Sequence, residues 1–264
     1  MTNLDQAASP RRLALPGRLS SAGQTYGALA ALVLLVLYNA LFTPNFLAAQ
    51  TLNINLTQVA TIVIVATGMT LVIATGGIDL SVGSLMAISG ALAPIIFLGK
   101  LVPLSPLLGN TLAFVVPVLV AGLFGLFNGI LVTTFRIQPI VATLVLFIAG
   151  RGIAQVVTNG NLQAFRNPGF QYIGLGRPFG IPFQAILMLL IVAIVAWVMR
   201  SSVFGRYILA TGGNEAAARL AGVPVNRVKR LVYVISGLLA GLAGLIVIAI
   251  NSSSDANLVG LNME

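Results

Sequence analysis

The residues most able to do chemistry in this chain belong to the segment TGGIDLSVGS, Thr75–Ser84, because it contains an isolated carboxylate. That carboxylate, Asp79, follows a stretch from Leu19 to Ile78 that has no Asp, Glu, Lys or Arg. A charge in a lipid-like environment costs several kcal/mol, so such a group usually faces a protein interior or an aqueous path. Asp79 could therefore bind a passing ion or solute, or it could hold the structure together.

The glycines of this segment predict an interrupted helix. Gly76 and Gly77 free the backbone, and Asp79 or Ser81 can cap a helix that restarts over Leu80 to Leu98. A break at membrane depth survives only when it is buried in protein or lines a cavity. Three roles are open to Asp79: a cap in a tight loop at the membrane face, a brace beside a transport path, and direct contact with a solute. The interrupted-helix motif comprises Gly76, Gly77, Asp79, Ser81, Gly83 and Ser84.

The composition indicates an integral membrane protein and excludes most catalytic chemistry. Of 264 residues, 58% are hydrophobic and 7% are charged, and the mean hydropathy is +1.03. The sequence has no Cys and no His, which removes disulfides, thiol nucleophiles, histidine acid–base chemistry and most zinc or haem sites. We predict no catalytic residue, no metal site and no cofactor bound by this chain. The predicted fold is all-α, a polytopic bundle of transmembrane helices.

Hydrophobic runs and the Pro- and Gly-containing breaks between them predict about seven spans. They are Thr25 to Phe42, Asn53 to Thr75, Ser81 to Leu98, Leu108 to Phe135, Pro139 to Thr158, Pro182 to Met199 and Leu231 to Ile250. The N-terminal region is basic, and we interpret the run that follows it as an uncleaved first span rather than a signal peptide. Residues 1–24 are then an N-terminal tail, and residues 25–264 form the membrane domain.

The distribution of positive charge predicts the orientation, because short cytoplasmic loops carry an excess of Lys and Arg. A cytoplasmic N-terminus returns to the cytoplasm after six crossings, at Arg200. The loop that follows, residues 200–230, is strongly basic and contains a single acid, Glu215. Its basic residues are Arg200, Arg206, Arg219, Arg227, Lys229 and Arg230. Because the positive charges sit at the ends of spans and in loops, we interpret them as setting the membrane orientation rather than as binding a nucleic acid.

A second motif lies in this loop, in TGGNEAAARLAGVPVNRVKR, 211–230. Asn214 can cap a short helix, Glu215 favours its positive end, and Gly222 with Pro224 can end it. We interpret the helix as a receiver of a conformational signal from a soluble partner. The alternative is a plain loop with an amphipathic turn.

Other small and polar residues predict how the spans pack. In SGLLAGLAGL, 236–245, the small residues Gly237 and Gly241, and Ala240 and Gly244, recur every four positions, which lets helix backbones approach closely. Polar residues inside predicted spans are candidates for lining a transport path, although each could equally bridge helices through hydrogen bonds. They are Gln58, Asn128 and Gln155.

Several blocks in order carry a resemblance to a known family. GMTLVIATGGIDLSVGS, 68–84, ATGGNEAAARLAGVPVNRVK, 210–229, and the section from Asn128 to Gln155 are similar to permease subunits of bacterial ABC importers for monosaccharides. The segment SDANLVGLNME, 254–264, is similar as well. The galactofuranose permeases of the ribose and galactoside group look closest. Family members are longer, so we expect further spans beyond residue 264.

The resemblance implies an assembly in the bacterial inner membrane. It comprises a second permease subunit, identical or different, two ATPase subunits that use ATP and Mg²⁺, and a periplasmic sugar-binding protein. It also implies that the coupling helix, which docks in the ATPase cleft, comprises Gly213, Asn214, Glu215, Ala216, Ala217, Ala218, Arg219, Leu220, Ala221 and Gly222. Together, topology and resemblance favour Asp79 as a residue that caps and braces the interrupted helix in the wall of the sugar path over a contact for the cargo. An ion-coupled secondary transporter is the main alternative, since interrupted helices and intramembrane carboxylates also build ion sites.

Overall fold

The computed structural model describes residues 21–99, 105–261 and 263. It divides into two compact units, residues 1–51 and residues 52–264. In the first unit, helix α1, Ser21–Phe42, is followed by a turn in which Asn45 has a left-handed φ of 60°. Helix α2, Ala49–Ala74, starts there and continues into the second unit.

The second unit is a helical bundle, which confirms the all-α prediction. After α2 its helices are α3 Val82–Phe97, α4 Pro106–Thr133, α5 Pro139–Thr158, α6 Pro168–Leu175, α7 Phe183–Ser201, α8 Val203–Gly213, α9 Glu215–Leu220 and α10 Val225–Asn251. A short 3₁₀ turn occupies Pro178–Gly180. Two two-residue strands, β1 Gln163–Ala164 and β2 Ser253–Ser254, pair antiparallel.

Each predicted span corresponds to an observed helix, with ends that differ by a few residues. Within the described residues, five helices are long and apolar enough to cross a membrane: α2, α4, α5, α7 and α10. The apolar parts of α1 and α3 are shorter, at Leu29–Phe42 and Val82–Phe97. The first 20 residues of the predicted tail lie outside the described residues.

Local sequence explains where these helices begin and end. Proline occupies the first turn of α4, α5 and α6, where its missing N–H costs no helical hydrogen bond. Helices α5 and α10 are each terminated by the residue that follows them, Asn159 and Ser252, and these residues adopt left-handed φ values of 52° and 54°. Internal backbone hydrogen bonds make such helices suited to lipid.

The centre of the bundle is α3, which is buried along most of its length and packs on α4, α5 and α10. The predicted close approach of α10 to its neighbours is confirmed. A Cβ on Gly241 would lie 2.7 Å from the Ala121 Cβ of α4, and one on Gly244 would meet α3 at Met86 and Ser89. From the other side, a Cβ on Gly125 of α4 would overlap the Tyr233 carbonyl of α10.

Candidate functional site

The predicted interruption between α2 and α3 is confirmed. Helix α2 ends at Ala74, the chain turns through Gly76 with a φ of 75°, and α3 begins at Val82. A positive φ of this size is readily adopted by glycine, which has no Cβ. At Gly77, a Cβ would approach the Tyr233 hydroxyl to 2.9 Å. The backbone conformation therefore favours glycine at position 76, and close side-chain packing favours it at position 77.

The Asp79 carboxylate in this turn is buried, with 1% of the residue exposed. Its Oδ1 accepts hydrogen bonds from the Ser81 backbone N–H at 3.0 Å and from the Ser81 hydroxyl at 2.6 Å. Its Oδ2 accepts one at 2.8 Å from the hydroxyl of Ser236 on α10. Charge-assisted hydrogen bonds of this kind offset the cost of burying a carboxylate. The group thus joins the turn to α10.

Hydrogen bonds extend this network to two more helices. Asn128 of α4 donates from Nδ2 to the Ser81 hydroxyl at 2.9 Å. The Ser84 hydroxyl lies within hydrogen-bond distance of two carbonyls, Ser81 at 2.8 Å and Leu146 of α5 at 3.1 Å. The interrupted-helix motif is consequently tied to α4, α5 and α10 together.

The helix-cap role predicted for Asp79 or Ser81 is wrong. Ser81 stands at the N-cap position of α3, but its side chain makes no capping hydrogen bond. Asp79 binds the amide of that same residue rather than an amide inside the helix. Asp79 is not exposed in its turn, because α10 packs over the turn and supplies Ser236. Bracing remains as the structural role of the carboxylate.

The second motif forms the predicted short helix. The Asn214 side chain accepts a hydrogen bond from the Ala217 N–H at 3.0 Å, which caps α9. The helix ends at Leu220, and Gly222 follows with a φ of 82°. The preceding helix α8 was not predicted, because its sequence reads as a continuation of the polar loop. Its N-terminus is capped by Ser202, which accepts from the Gly205 N–H at 3.0 Å.

Glu215 ties α9 to the start of α10. Its carboxylate binds Lys229 of α10 and, at 2.7 Å, Arg219 of α9. Hydrogen bonds from Lys229 and then Arg219 hold the pKa of Glu215 below its usual range. The stabilising charge is therefore present at neutral pH and is lost only as the pH falls through that lowered value.

The two motifs meet at the end of α2. A Cβ on Gly212 of α8 would overlap the Ala74 carbonyl, the last residue before the turn. Nearby, Ile208 of α8 is fully buried in a cluster that includes Val72 of α2 and Tyr233 of α10. The Tyr233 hydroxyl in turn donates to the Ile78 carbonyl at 3.2 Å. Helix α8 thus packs directly against the segment that carries Asp79.

The three candidate path residues have different surroundings. Gln58 is exposed on a cleft of about 270 Å³ that is also lined by Arg177 and by the buried Gln184. Asn128 is buried and bridges to Ser81, so it braces the network. Gln155 is exposed and donates to the Asn257 side chain at 2.7 Å.

Comparison with known proteins identifies the family. A model described as branched-chain amino acid transport system / permease component matches residues 50–264, which is most of the chain. The chain belongs to this permease family. No solved structure matches it at a significant level.

Curated relatives of the permease are named for sugars. The galactofuranose transporter permease protein YtfT of Escherichia coli (strain K12) is 40% identical over 249 residues, covering 89% of this chain and 70% of the relative. The ribose import permease protein RbsC of the same strain is 42% identical over 233 residues, covering 86% and 70%. The fructose import permease protein FruF of Bifidobacterium longum is 35% identical over 261 residues, covering 94% and 71%.

One charged residue inside a span of the permease was missed by the sequence analysis. Arg151 of α5 donates from Nη1 to the carbonyls of Ala256, Asn257 and Val259, at 3.0, 3.2 and 3.1 Å. Farther along this segment, a Cβ on Gly260 would overlap the Gly83 carbonyl of α3. The arginine thus holds a non-helical stretch against the bundle and satisfies carbonyls that have no helical partner. Its isolation within an apolar run was the signal that could have revealed it.

Proposed function

We propose that this chain is the membrane-spanning permease subunit of an ATP-driven importer that carries a monosaccharide across the bacterial cytoplasmic membrane. The sugar-import names of its relatives support the substrate class, at 35–42% identity. They also favour this function over an ion-coupled secondary transporter. The basic loop 200–230 supports a cytoplasmic position for that loop and for the N-terminus.

The observation that carries the mechanism is the contact between α8 and the end of α2. A displacement of α9 moves α8, and Gly212 of α8 lies against the Ala74 carbonyl, next to the Gly76 turn. That turn leads to Asp79, whose hydrogen bonds reach α10. Movement at α9 is thereby transmitted to the buried centre of the bundle, as alternating access requires.

The proposed partners follow from this division of labour. Helix α9 docks on an ATPase subunit, which binds ATP and Mg²⁺ and performs the hydrolysis. A second permease subunit completes the path, and a periplasmic binding protein delivers the sugar. The permease itself supplies positioning groups rather than catalytic ones.

Transport by the reconstituted complex tests this function. We expect proteoliposomes that contain the permease with its ATPase, and with binding protein supplied outside, to take up labelled ribose, galactofuranose or fructose when ATP is enclosed. Vanadate should abolish uptake, whereas an ionophore that collapses ion gradients should leave it unchanged. Ionophore-sensitive, vanadate-resistant uptake would establish the ion-coupled alternative, and uptake of leucine instead of sugar would refute the substrate class.

Asp79→Asn is expected to insert and fold normally but to reduce ATP-driven sugar uptake. Asparagine keeps the oxygen that accepts both bonds from Ser81, while the charge that orients the Ser236 hydroxyl is lost. Because the carboxylate braces the helix bundle and does not contact the sugar, the relative uptake rates for different sugars should change less than the overall uptake rate. Uptake of labelled sugars, normalised to the amount of permease in the membrane, measures both quantities.

Asp79→Leu is the matched comparison. It removes every acceptor from three buried donors, each of which costs about 1–3 kcal/mol when left unsatisfied. We therefore expect a lower thermal midpoint and less folded protein. Wild-type uptake by Asp79→Asn would show that the charge is unnecessary.

A further inference from the structure

A cleft of about 630 Å³ lies between the turn that joins α4 to α5, helix α9 and the start of α10. Four cationic side chains line it against a single carboxylate, that of Glu215. The cationic residues are Arg136, Arg219, Lys229 and Arg230. We propose that this cleft is a binding site for a phosphate-bearing anion, a ligand that the transport function proposed above does not include.

The charges of the cleft are only partly neutralised by the protein. Lys229 and Arg219 share the Glu215 carboxylate. Arg230 is fixed by neutral groups, since its Nε and Nη2 donate to the hydroxyls of Thr133 and Thr134, both at 2.8 Å. In the described part of the chain Arg136 has neither a hydrogen bond nor an ion pair. The cleft therefore keeps excess positive charge, on Arg230, which is held in place, and on Arg136, which is not.

The backbone at Arg136 supports a role for its side chain. Arg136 has a left-handed φ of 54°, and the Ile137 N–H closes the end of α4 by donating to the Leu131 carbonyl at 3.1 Å. Glycine is the usual residue in such a turn, and a larger residue there is strained. An arginine at this position adds a guanidinium to the lining of the cleft at the expense of local stability.

Guanidinium groups bind both carboxylates and phosphates, and the excess positive charge of this cleft favours the phosphate because it carries more negative charge. Their planar arrangement of N–H groups matches two phosphate oxygens at once, and their charge persists at every physiological pH. A phosphate here would contact both the turn after α4 and the α9–α10 corner. Two sources carry this chemistry, free phosphate compounds in the cytoplasm and the headgroups of anionic lipids.

Binding by the full-length permease in nanodiscs tests the proposal and separates the sources. In discs of phosphatidylcholine alone, inorganic phosphate is titrated calorimetrically at fixed ionic strength. In discs that also contain phosphatidylglycerol, retained lipid is counted by native mass spectrometry. We expect saturable binding of at least one probe. Arg136→Gly should weaken it at least about tenfold, the effect of one charged hydrogen-bonding group, while leaving the thermal midpoint unchanged or higher because the strain is relieved.

Arg206→Gln is the matched control, because Arg206 is an exposed arginine of α8 that does not line the cleft. It should change affinity less than about twofold, as expected for a screened charge at a distance. Equal weakening by both variants would reduce the effect to general surface charge and overturn the proposal. Absence of binding in both arms would also overturn it. If neither probe binds and only an added ATPase subunit covers the cleft, the cleft is a protein contact and the proposal is likewise overturned.

Discussion

Leu220→Glu is expected to reduce ATP-driven sugar uptake at least about tenfold without changing membrane insertion or the thermal midpoint. Leu220 closes α9 and is 91% exposed, so its replacement removes no internal packing. If α9 docks in a partner, burying this leucine stabilises the complex by about 1.5–3 kcal/mol, or roughly ten- to a hundredfold in affinity. A buried glutamate adds a desolvation cost. Uptake and co-purification of the ATPase subunit measure the two consequences.

Phe179→Glu provides the matched control for this change. Phe179 is 98% exposed and lies in the 3₁₀ turn Pro178–Gly180, just before α7. The substitution Phe179→Glu likewise replaces an exposed apolar side chain with a carboxylate, but it lies at the end of α7 opposite to α8 and α9. Association with the ATPase should be unaffected. Normal ATPase association and uptake in Leu220→Glu would remove α9 from the docking surface.

Gly125→Ala is expected to destabilise the permease by about 1–3 kcal/mol, the usual cost of overpacking. The added Cβ would overlap the Tyr233 carbonyl, so α4 and α10 must separate. Tyr233 and Ser236, which contact the Asp79 turn, lie on the displaced part of α10. We therefore expect a lower thermal midpoint in detergent and a reduced yield of folded protein. Both decreases become larger if the separation also breaks the hydrogen bonds around Asp79.

Gly152→Ala on α5 is the matched substitution of opposite sign. Apart from the backbone of its own helix, no atom of the described residues lies within 4 Å of a Cβ added to Gly152, so alanine meets open space in the interior of a helix. Its higher helix propensity should stabilise the protein by about 0.5–1 kcal/mol. Thermal midpoints that move in the same direction for the two variants would contradict the close approach of α4 to α10.

Much of the fold could be predicted because lipid imposes strong local rules. Long apolar runs must be helical, and proline and glycine mark their ends, so the spans were located to within a few residues. Helix α9 was also predictable, since Asn214 and Gly222 act on neighbours close in sequence. Helix α8 was not, because a polar amphipathic segment can form either a loop or a helix, and packing of Ile208 decides the outcome.

The contacts of the candidate site could not be predicted, because they join distant parts of the chain. Asp79 meets Ser236 across 157 positions, and the repeat of small residues in α10 predicts a packed face without showing which residue of another segment that face meets. The sequence analysis assigned the small residues of α10 to packing alone. Asp79 or Ser81 was expected to cap α3 because only partners close in sequence can be identified from a single chain. The carboxylate does accept hydrogen bonds from Ser81, and close helix packing adds Ser236.

The contacts of Arg151 with the carbonyls of Ala256, Asn257 and Val259 make a late segment of the chain dependent on an earlier helix. Carbonyls outside a helix cannot remain in hydrocarbon without donors, and their donor sits in α5, about 105 residues earlier in the chain. The position of this stretch therefore depends on α5, because three of its carbonyls find their donor in a single guanidinium group. The late segment is in this respect conditional on an earlier helix, and loss of that one side chain would leave all three carbonyls without the donor they share.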